Sequence, residues 1–545
     1  MKKVKTDVVI VGAGPTGLMA ANQLNRYKID YVCLEKQTHR SSFSKAMGIH
    51  ARSMEMFDLS GFVEEFVARG YPGEGAKMYI GGEKESILGL YQIESRFPYM
   101  LVIPQTETEE ILETNLEMNE GIVNRGEEVT ALTVHDKGVN VTVNNDGEIL
   151  EYDAEYVLAC DGAHSKVREL METGFVGEAE GKTFFLGDIQ TSNLDPSMIT
   201  GYINTRGATV FFPYADGKFR VVGLDLSIQG RPHKDELTLH ELQQRVNYVT
   251  STSIEIDSAN WLTYFGTAHK QVENYQKDRV FFVGDAAHIH NPLGGQGMNL
   301  GLQDATNICW KLMTVLKGCA DQAILRTYDQ ERRPIAKNII QQTSRLLQFI
   351  SLEGTRGKLR NNISRWLLSN SHLQHNIAET LSHIKYDYHA TSSSQKLVDN
   401  KLPKKFIQPG ARTPDVKFLL EETPDKRLYH LLRLYPFVCF VYMERQTEDI
   451  IAYVNSLVEE LCTVYGDLIT TFLVVKGGVP LIEGGKFKII HDVFREVENK
   501  LTMNHGHTML IRPDAHVAFH TSESDPLETI KRMNIFFKVK HQRGR

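Results

Sequence analysis

The stretch Asp7-Val8-Val9-Ile10-Val11-Gly12-Ala13-Gly14-Pro15-Thr16-Gly17 decides how the chain begins to fold. Its opening residues, apolar and β-branched without alternation, have the pattern of a strand buried on both faces. Glycines at G-x-G-x-x-G spacing follow. Gly12 permits a tight turn, Gly14 lets a pyrophosphate approach the backbone, and Gly17 lets the next helix pack against the strand. A helical stretch from Leu18 to about Arg26 follows. Its first turn offers free N–H groups and the positive end of the helix dipole to phosphates. A second strand, Tyr31 to Leu34, ends in Glu35 and Lys36. An acid at this point accepts from ribose hydroxyls and disfavours a 2′-phosphate, so the site suits FAD or NAD.

The chain of 545 residues is long enough for several domains, with 41% apolar and 24% charged residues, the balance of a soluble globular protein. A net charge of −7 and the lack of a long basic stripe argue against nucleic acid as a partner. The basic residues that close the chain (Lys538, Lys540, Arg543, Arg545) read as a solvated tail. No apolar run reaches the roughly 18 residues that span a bilayer. The apolar run behind the N-terminal lysines enters a glycine turn and so does not read as a signal peptide. The six cysteines are scattered without a CxxC pair, which suggests a reducing, cytoplasmic location.

Two later segments separate FAD from NAD. The strand Val280 to Val283 leads into Gly284-Asp285-Ala286-Ala287-His288, then Asn291-Pro292-Leu293-Gly294-Gly295-Gln296-Gly297-Met298-Asn299 and a helix to about Leu316. Asp285, at the carboxyl end of a strand, is placed to accept from a ribityl hydroxyl. Gly295 and Gly297 bring backbone N–H groups to a helix start, suited to the negative edge of a reduced flavin. His288 and His290 lack a nearby third ligand, so no metal is expected.

These residues resemble the second FAD motif of the group A flavoprotein monooxygenases, the para-hydroxybenzoate and phenol hydroxylase family. Asp161 through Arg168 (DGAHSKVR) is similar to that family's third motif, which contacts FAD and the nicotinamide cofactor. Gln105 resembles its glutamine near the flavin sugar chain, and Arg52, in His50-Ala51-Arg52-Ser53, its FAD-contacting arginine. Tyr328 through Pro334 matches the helix after the second motif. Lys45 stands where many relatives have arginine. By resemblance, the cofactor-binding set is Gly12, Gly14, Pro15, Thr16, Gly17, Glu35, Lys36, Lys45, Arg52, Gln105, Asp161, Arg168, Asp285, Pro292, Gly295, Gly297, Met298 and Asn299.

The expected fold is mixed α/β and α+β. A Rossmann-like FAD-binding domain (1–179 and 268–340) carries an inserted antiparallel substrate sheet (180–267), followed by a helical segment (341–390), a polar linker (391–407) and a C-terminal domain (408–545). Short alternating strands and turns such as Asp216-Gly217 mark the inserted sheet. In the family such a sheet roofs the substrate, making Phe185, Phe211, Phe212 and Pro292 candidate substrate contacts; ordinary sheet core is an equal alternative for each phenylalanine. The C-terminal domain resembles the thioredoxin-like domain of the phenol hydroxylase branch, including an Arg512-Pro513-Asp514 segment. Without a CxxC it reads as structural or as a homodimer contact. His505 and His507 read as a surface pair.

The resemblance implies an NAD(P)H- and O2-dependent hydroxylase of an aromatic, phenolic or polyketide-like small molecule, antibiotics included, working through a flavin C4a-hydroperoxide. NADPH or NADH would bind transiently, there being no second GxGxxG. His50 is the candidate catalytic residue. The alternatives are a reductase or dehydrogenase without oxygen insertion and a non-catalytic flavin-binding protein. The purified protein is expected to be yellow, and acid precipitation to release the pigment as FAD. Release of FMN, or flavin retained in the pellet, would refute the dinucleotide reading.

Overall fold

The computed structural model describes residues 2–41, 46–82, 84–214, 217–230, 236–420, 423–477 and 487–538. Lys45, Asp216, Lys540, Arg543 and Arg545 lie outside them. Among the described residues, no helix is long and apolar enough to cross a membrane.

The opening strand, Lys2–Val11, pairs in parallel with Tyr31–Glu35 on one side and Glu148–Ala159 on the other. Glu148–Ala159 in turn pairs in parallel with Val280–Phe282. Val11 stands opposite both Leu34 and Ala159, and Ala159 opposite Phe282, so these strands end at one level. Helices Pro15–Arg26 and Gln296–Leu316 pack together beside them. Buried on both faces, the strands must be continuously apolar, as Val8–Val11 and Val280–Phe282 are.

The second sheet is mostly antiparallel and is built on the long strands Phe175–Gln190 and Ser258–Val272, with Lys218–Asp225, Gly207–Tyr214 and Ile199–Asn204 beyond. Gly75–Ile80 joins its far edge parallel to Ile199–Asn204. Strands Gly75–Ile80 and Lys84–Gly89, expected in the nucleotide-binding domain, therefore belong to this sheet. Helix Leu239–Thr250 covers one face, packing Leu242 and Val246 against Phe185, Phe211, Phe219 and Val221. The alternate residues face the other way.

In the C-terminal sheet, Phe437–Met443 and Ile469–Lys476 are parallel and joined by helix Glu448–Tyr465. Antiparallel strands Thr508–Ile511 and Val517–Thr521 extend it. The stretch read as a polar linker is packed: Leu397, Leu402 and Phe406 are buried, and Asp399 accepts from the Thr521 hydroxyl at 2.7 Å. His507, expected at the surface, is buried with its Nδ1 3.0 Å from His520 Nε2. Neither departure was visible in polarity alone, because both depend on partners distant in sequence.

This C-terminal part is seated on helix Gln296–Leu316 and helix Thr327–Ile350. Trp310 stacks on Phe536, meets Phe437 edge-on, and donates its indole N–H to Asp514 Oδ2 at 3.1 Å. Beside it Arg512 donates to both carboxylate oxygens of Glu331 at 2.8 and 2.9 Å and to Asp514, while Lys311 reaches Glu331 at 2.8 Å. All of these charges are buried. Burial alone would raise the Glu331 carboxyl, but Arg512 and Lys311 outweigh it and hold it at about 2. Lys311 is itself pushed down to about 8 by burial, although Glu331 raises it.

Glu331 is more acidic folded than unfolded, so its contribution is complete above its ordinary value of 4.5 and is lost as pH falls toward about 2. Glu331→Gln leaves Lys311 without its carboxylate partner and Arg512 with Asp514 alone, and should cost roughly 3–5 kcal/mol near neutrality. Thermal unfolding of both proteins from neutral to acidic pH should show that gap closing below pH 4.5. A gap that is constant with pH would refute the assignment.

Candidate active site

The common level of the strand ends brings Gly12, Glu35, Asp161 and Asp285, each just past or at the end of its strand, to one edge of the sheet. Gly12 has a φ of +99°, and a Cβ there would lie 2.5 Å from the Cys160 carbonyl oxygen. A Cβ on Gly17 would lie 1.9 Å from the Gly12 oxygen. Gly14 differs: a Cβ there would meet nothing within 4 Å, so its backbone faces open space at the start of helix Pro15–Arg26. Two of these glycines are needed for packing and the third leaves room for a ligand.

Glu35 accepts from the Ala13 and Gln37 N–H groups, each at 2.9 Å, which aims the carboxylate back at the glycine turn. Lys36 is exposed beside it. Asp161 Oδ2 accepts from Val167 N at 3.0 Å, whereas Oδ1 is buried without a hydrogen-bond partner. Burial raises this carboxyl despite the Ser165 and Val167 hydrogen bonds. Arg168 donates to the Ala163 and Ala286 carbonyls at 2.8 and 3.0 Å and lies 3.9 Å over the Phe175 ring. It therefore ties the Asp161 segment to the Asp285 segment and to the second sheet.

Around Asp285 the backbone is crowded. A Cβ on Gly284 or Gly301 would lie 2.7 or 2.3 Å from the Thr16 hydroxyl, so the two glycine motifs touch. Asp285 itself is exposed, with Oδ1 beside Gly297. Gly295 is left-handed (φ 63°) and begins helix Gln296–Leu316, so the Gly295, Gly297 and Met298 backbone lies at the helix's positive end. Asn299 is committed to the protein: its amide donates to the Gly48 and Gly295 carbonyls, both at 2.8 Å, and accepts from the His50 N–H at 2.8 Å.

Three sequence expectations need correction. His50 is buried, with Nε2 2.7 Å from the Gly294 carbonyl and its ring stacked on His383. Burial pushes it down to about 4. It is a neutral donor that holds the glycine loop, not a proton shuttle near neutrality. Arg52 is buried and donates to Glu55 at 2.8 Å and to the Asp514 carbonyl at 2.6 Å. Glu55 also accepts from Arg412, so Arg52 belongs to the seat of the C-terminal part. Gln105 accepts from Ala46 N at 3.2 Å and donates to Glu109 at 2.8 Å.

The third correction concerns the candidate substrate wall. Phe185 and Phe211 are fully buried on the face covered by helix Leu239–Thr250. Phe212 lies on the opposite face, with Val210 and Tyr214, against Met47 and Met100. On that same face Phe184, Val222 and Phe265 pack with Leu293 of the glycine loop. Pro292 is half-buried next to it. Period-two alternation separates Phe211 from Phe212, but the sequence did not indicate which face looks at the loop. It also held no signal for His383, which bonds Gln296 and Gln303 and stacks on His50.

Open space at Gly14, the partnerless Asp161 oxygen and the exposed Asp285 beside a helix N-terminus fit a flavin dinucleotide. Comparison with known proteins agrees. Residues 5–343 match the family described as FAD binding domain. The chain is 29% identical to the uncharacterized aromatic compound monooxygenase YhjG of Bacillus subtilis, over 96% of both chains. It is 36% identical to the rifampicin monooxygenase of Streptomyces venezuelae, over 64% of this chain and 72% of that one. Among solved structures it resembles the anhydrotetracycline hydroxylase OxyS of Streptomyces rimosus, with 26% identity, a TM-score of 0.77, and 99% and 100% of the two chains covered.

Gly14 provides a test with its own control. A Cβ at Gly14 meets no protein atom within 4 Å, so the Gly14→Val apoprotein should melt at nearly the wild-type temperature. Its branched side chain projects into the space where a pyrophosphate would approach, and FAD affinity should fall at least about tenfold, read by fluorescence titration of apoprotein. Unchanged affinity would mean that the diphosphate lies elsewhere.

Proposed function

The chain belongs to the FAD-binding-domain family and is an FAD-dependent monooxygenase; from that premise we propose that it hydroxylates a large aromatic or polyketide-like molecule, with NAD(P)H as transient reductant. The observation that carries this reading is the apolar sheet face opposite the glycine loop. Phe212, Val210, Val222 and Phe265 line it, and Leu293 of the loop packs onto it. The rifampicin and anhydrotetracycline enzymes act on large ring systems by name, which accords with a broad sheet wall.

Bound FAD supplies the redox and oxygen-activating chemistry. The protein's part is to hold, orient and exclude water. Gly12–Gly17 and Glu35 would take the adenosine diphosphate end. Asp161, Asp285 and the Gly295–Met298 backbone would take the ribityl and ring end, with the helix dipole stabilising negative charge there. His50 and His290 are both pushed by burial to about 4, and Tyr214 to about 12 by burial and Asp188. Near neutrality these groups are uncharged, so the enclosure offers hydrogen bonds without titrating. We place the enzyme in the cytoplasm on its six free cysteines, and read the C-terminal sheet as a thioredoxin-like structural domain or dimer contact.

With an aromatic substrate, NAD(P)H oxidation should accelerate and match O2 uptake, yielding a product heavier by one oxygen atom. Reduced-cofactor consumption without such a product would favour a reductase. Phe212→Ala should lower kcat/KM by at least about tenfold with a small thermal shift. Phe211→Ala should instead cost about 3–5 kcal/mol of stability with little change in substrate preference. Equal effects of the two variants on kcat/KM would overturn the face assignment.

A further inference from the structure

The strand Phe175–Gln190 loses register with Ser258–Val272 between Ala179 and Thr183. Glu180 lies in that irregularity, next to Gly181, which has a φ of +62°. Its carboxylate is only 6% exposed. Oε1 accepts from the Asn291 amide at 3.0 Å, and Oε2 is buried with no hydrogen-bond partner. His269 Nδ1, 3.6 Å from Oε1, likewise has none. A buried carboxylate oxygen without a donor is costly, and such groups call for an explanation.

The partner explains the position. Asn291 is fully buried and begins the glycine loop. Its Oδ1 accepts from Leu293 N at 3.2 Å, shaping the turn, and its backbone oxygen accepts from His290 Nδ1 at 2.6 Å. His290 Nε2, beside Gly297, is also buried without a partner. One amide thus has its oxygen on the loop's turn and its nitrogen on a carboxylate from the other sheet. Further along the loop, His50 on Gly294, Asn299 on Gly295 and His383 on Gln296 grip its far half. Glu180 supplies the side-chain hydrogen bond that fixes the near half to the sheet that carries Phe184 and Phe265, on which Leu293 also packs.

We propose that Glu180 is a positioning residue for the flavin loop: through Asn291 it sets the near half of the loop against the substrate sheet in the conformation that receives FAD. The proposal rests on the flavin reading above. The hydrogen bond is directional, with a donor on residue 291 and an acceptor on residue 180, so it can be broken and rebuilt without changing shape. Asn291→Asp places an acceptor opposite an acceptor while keeping the oxygen that Leu293 uses. Adding Glu180→Gln restores one donor and one acceptor, with the direction reversed.

The experiment titrates FAD into apoprotein of the wild type, N291D and the E180Q/N291D double variant. It records flavin fluorescence, the flavin absorption spectrum and the melting temperature of each apoprotein. N291D should bind FAD roughly tenfold more weakly with a shifted flavin spectrum, while its apoprotein melts within a few degrees of wild type. The double variant should recover to within about threefold of wild type and regain the spectrum. N291D binding FAD like the wild type would overturn the proposal, as would a folded double variant that fails to recover. If N291D does not fold, the double variant decides alone, and its failure to fold or to bind overturns the proposal too. Wild-type apoprotein that binds no FAD would instead refute the flavin reading itself.

Discussion

Thr16 sits where separate pieces of backbone converge more closely than side chains allow. Gly284 and Gly301 face its hydroxyl, and one residue further Gly17 packs on Gly12, which packs on Cys160. A Cβ at Gly12 or Gly17 would meet backbone, and one at Gly284 or Gly301 would meet the Thr16 side chain. Because the contact is so close, helix Gln296–Leu316 crosses helix Pro15–Arg26 near their N-terminal ends, and both present unsatisfied N–H groups toward the same edge of the parallel sheet. A wider crossing would part Asp285 from the glycine turn and remove the Ala286 carbonyl from Arg168. The nucleotide edge, the glycine loop and the seat of the substrate sheet all follow from this one approach.

The far end of the same helix serves a different purpose. Trp310 and Lys311 are buried under the C-terminal part, where Arg512 and Asp514 complete a charged cluster with Glu331. One element therefore holds the loop at its start and a second domain at its end. Arg52, two residues from His50, joins the two by reaching Glu55 and the Asp514 carbonyl. The C-terminal part thereby contacts the helix that His50 caps.

The grip is made largely of neutral groups. Burial holds His50, His290 and His383 well below the ordinary histidine value, so the loop is held by hydrogen bonds that do not titrate near neutrality. An imidazolium here would add positive charge and lose the acceptor nitrogen that His383 offers Gln303. The arrangement favours a site whose geometry is constant with pH and whose redox chemistry belongs to the bound cofactor.

Much of this was legible in the chain itself. The first glycine turn, the acid ending the second strand and the Gly284–Asn299 segment announce a flavin dinucleotide site, because each depends on local spacing: glycine where backbone must pass, an acid at a strand end, a helix start after a glycine run. The alternation that separates Phe211 from Phe212 was equally readable. Which of the two faces the loop was not, since that depends on where helix Leu239–Thr250 and Met47 come to rest. Arg52 and His50 sit in recognisable motifs, but their partners are Asp514 and Gly294, hundreds of residues away. Glu180 and Asn291 carry no motif between them. Local sequence determines what a backbone segment can do; the destination of a polar side chain is decided only when folding brings its partner within hydrogen-bond reach.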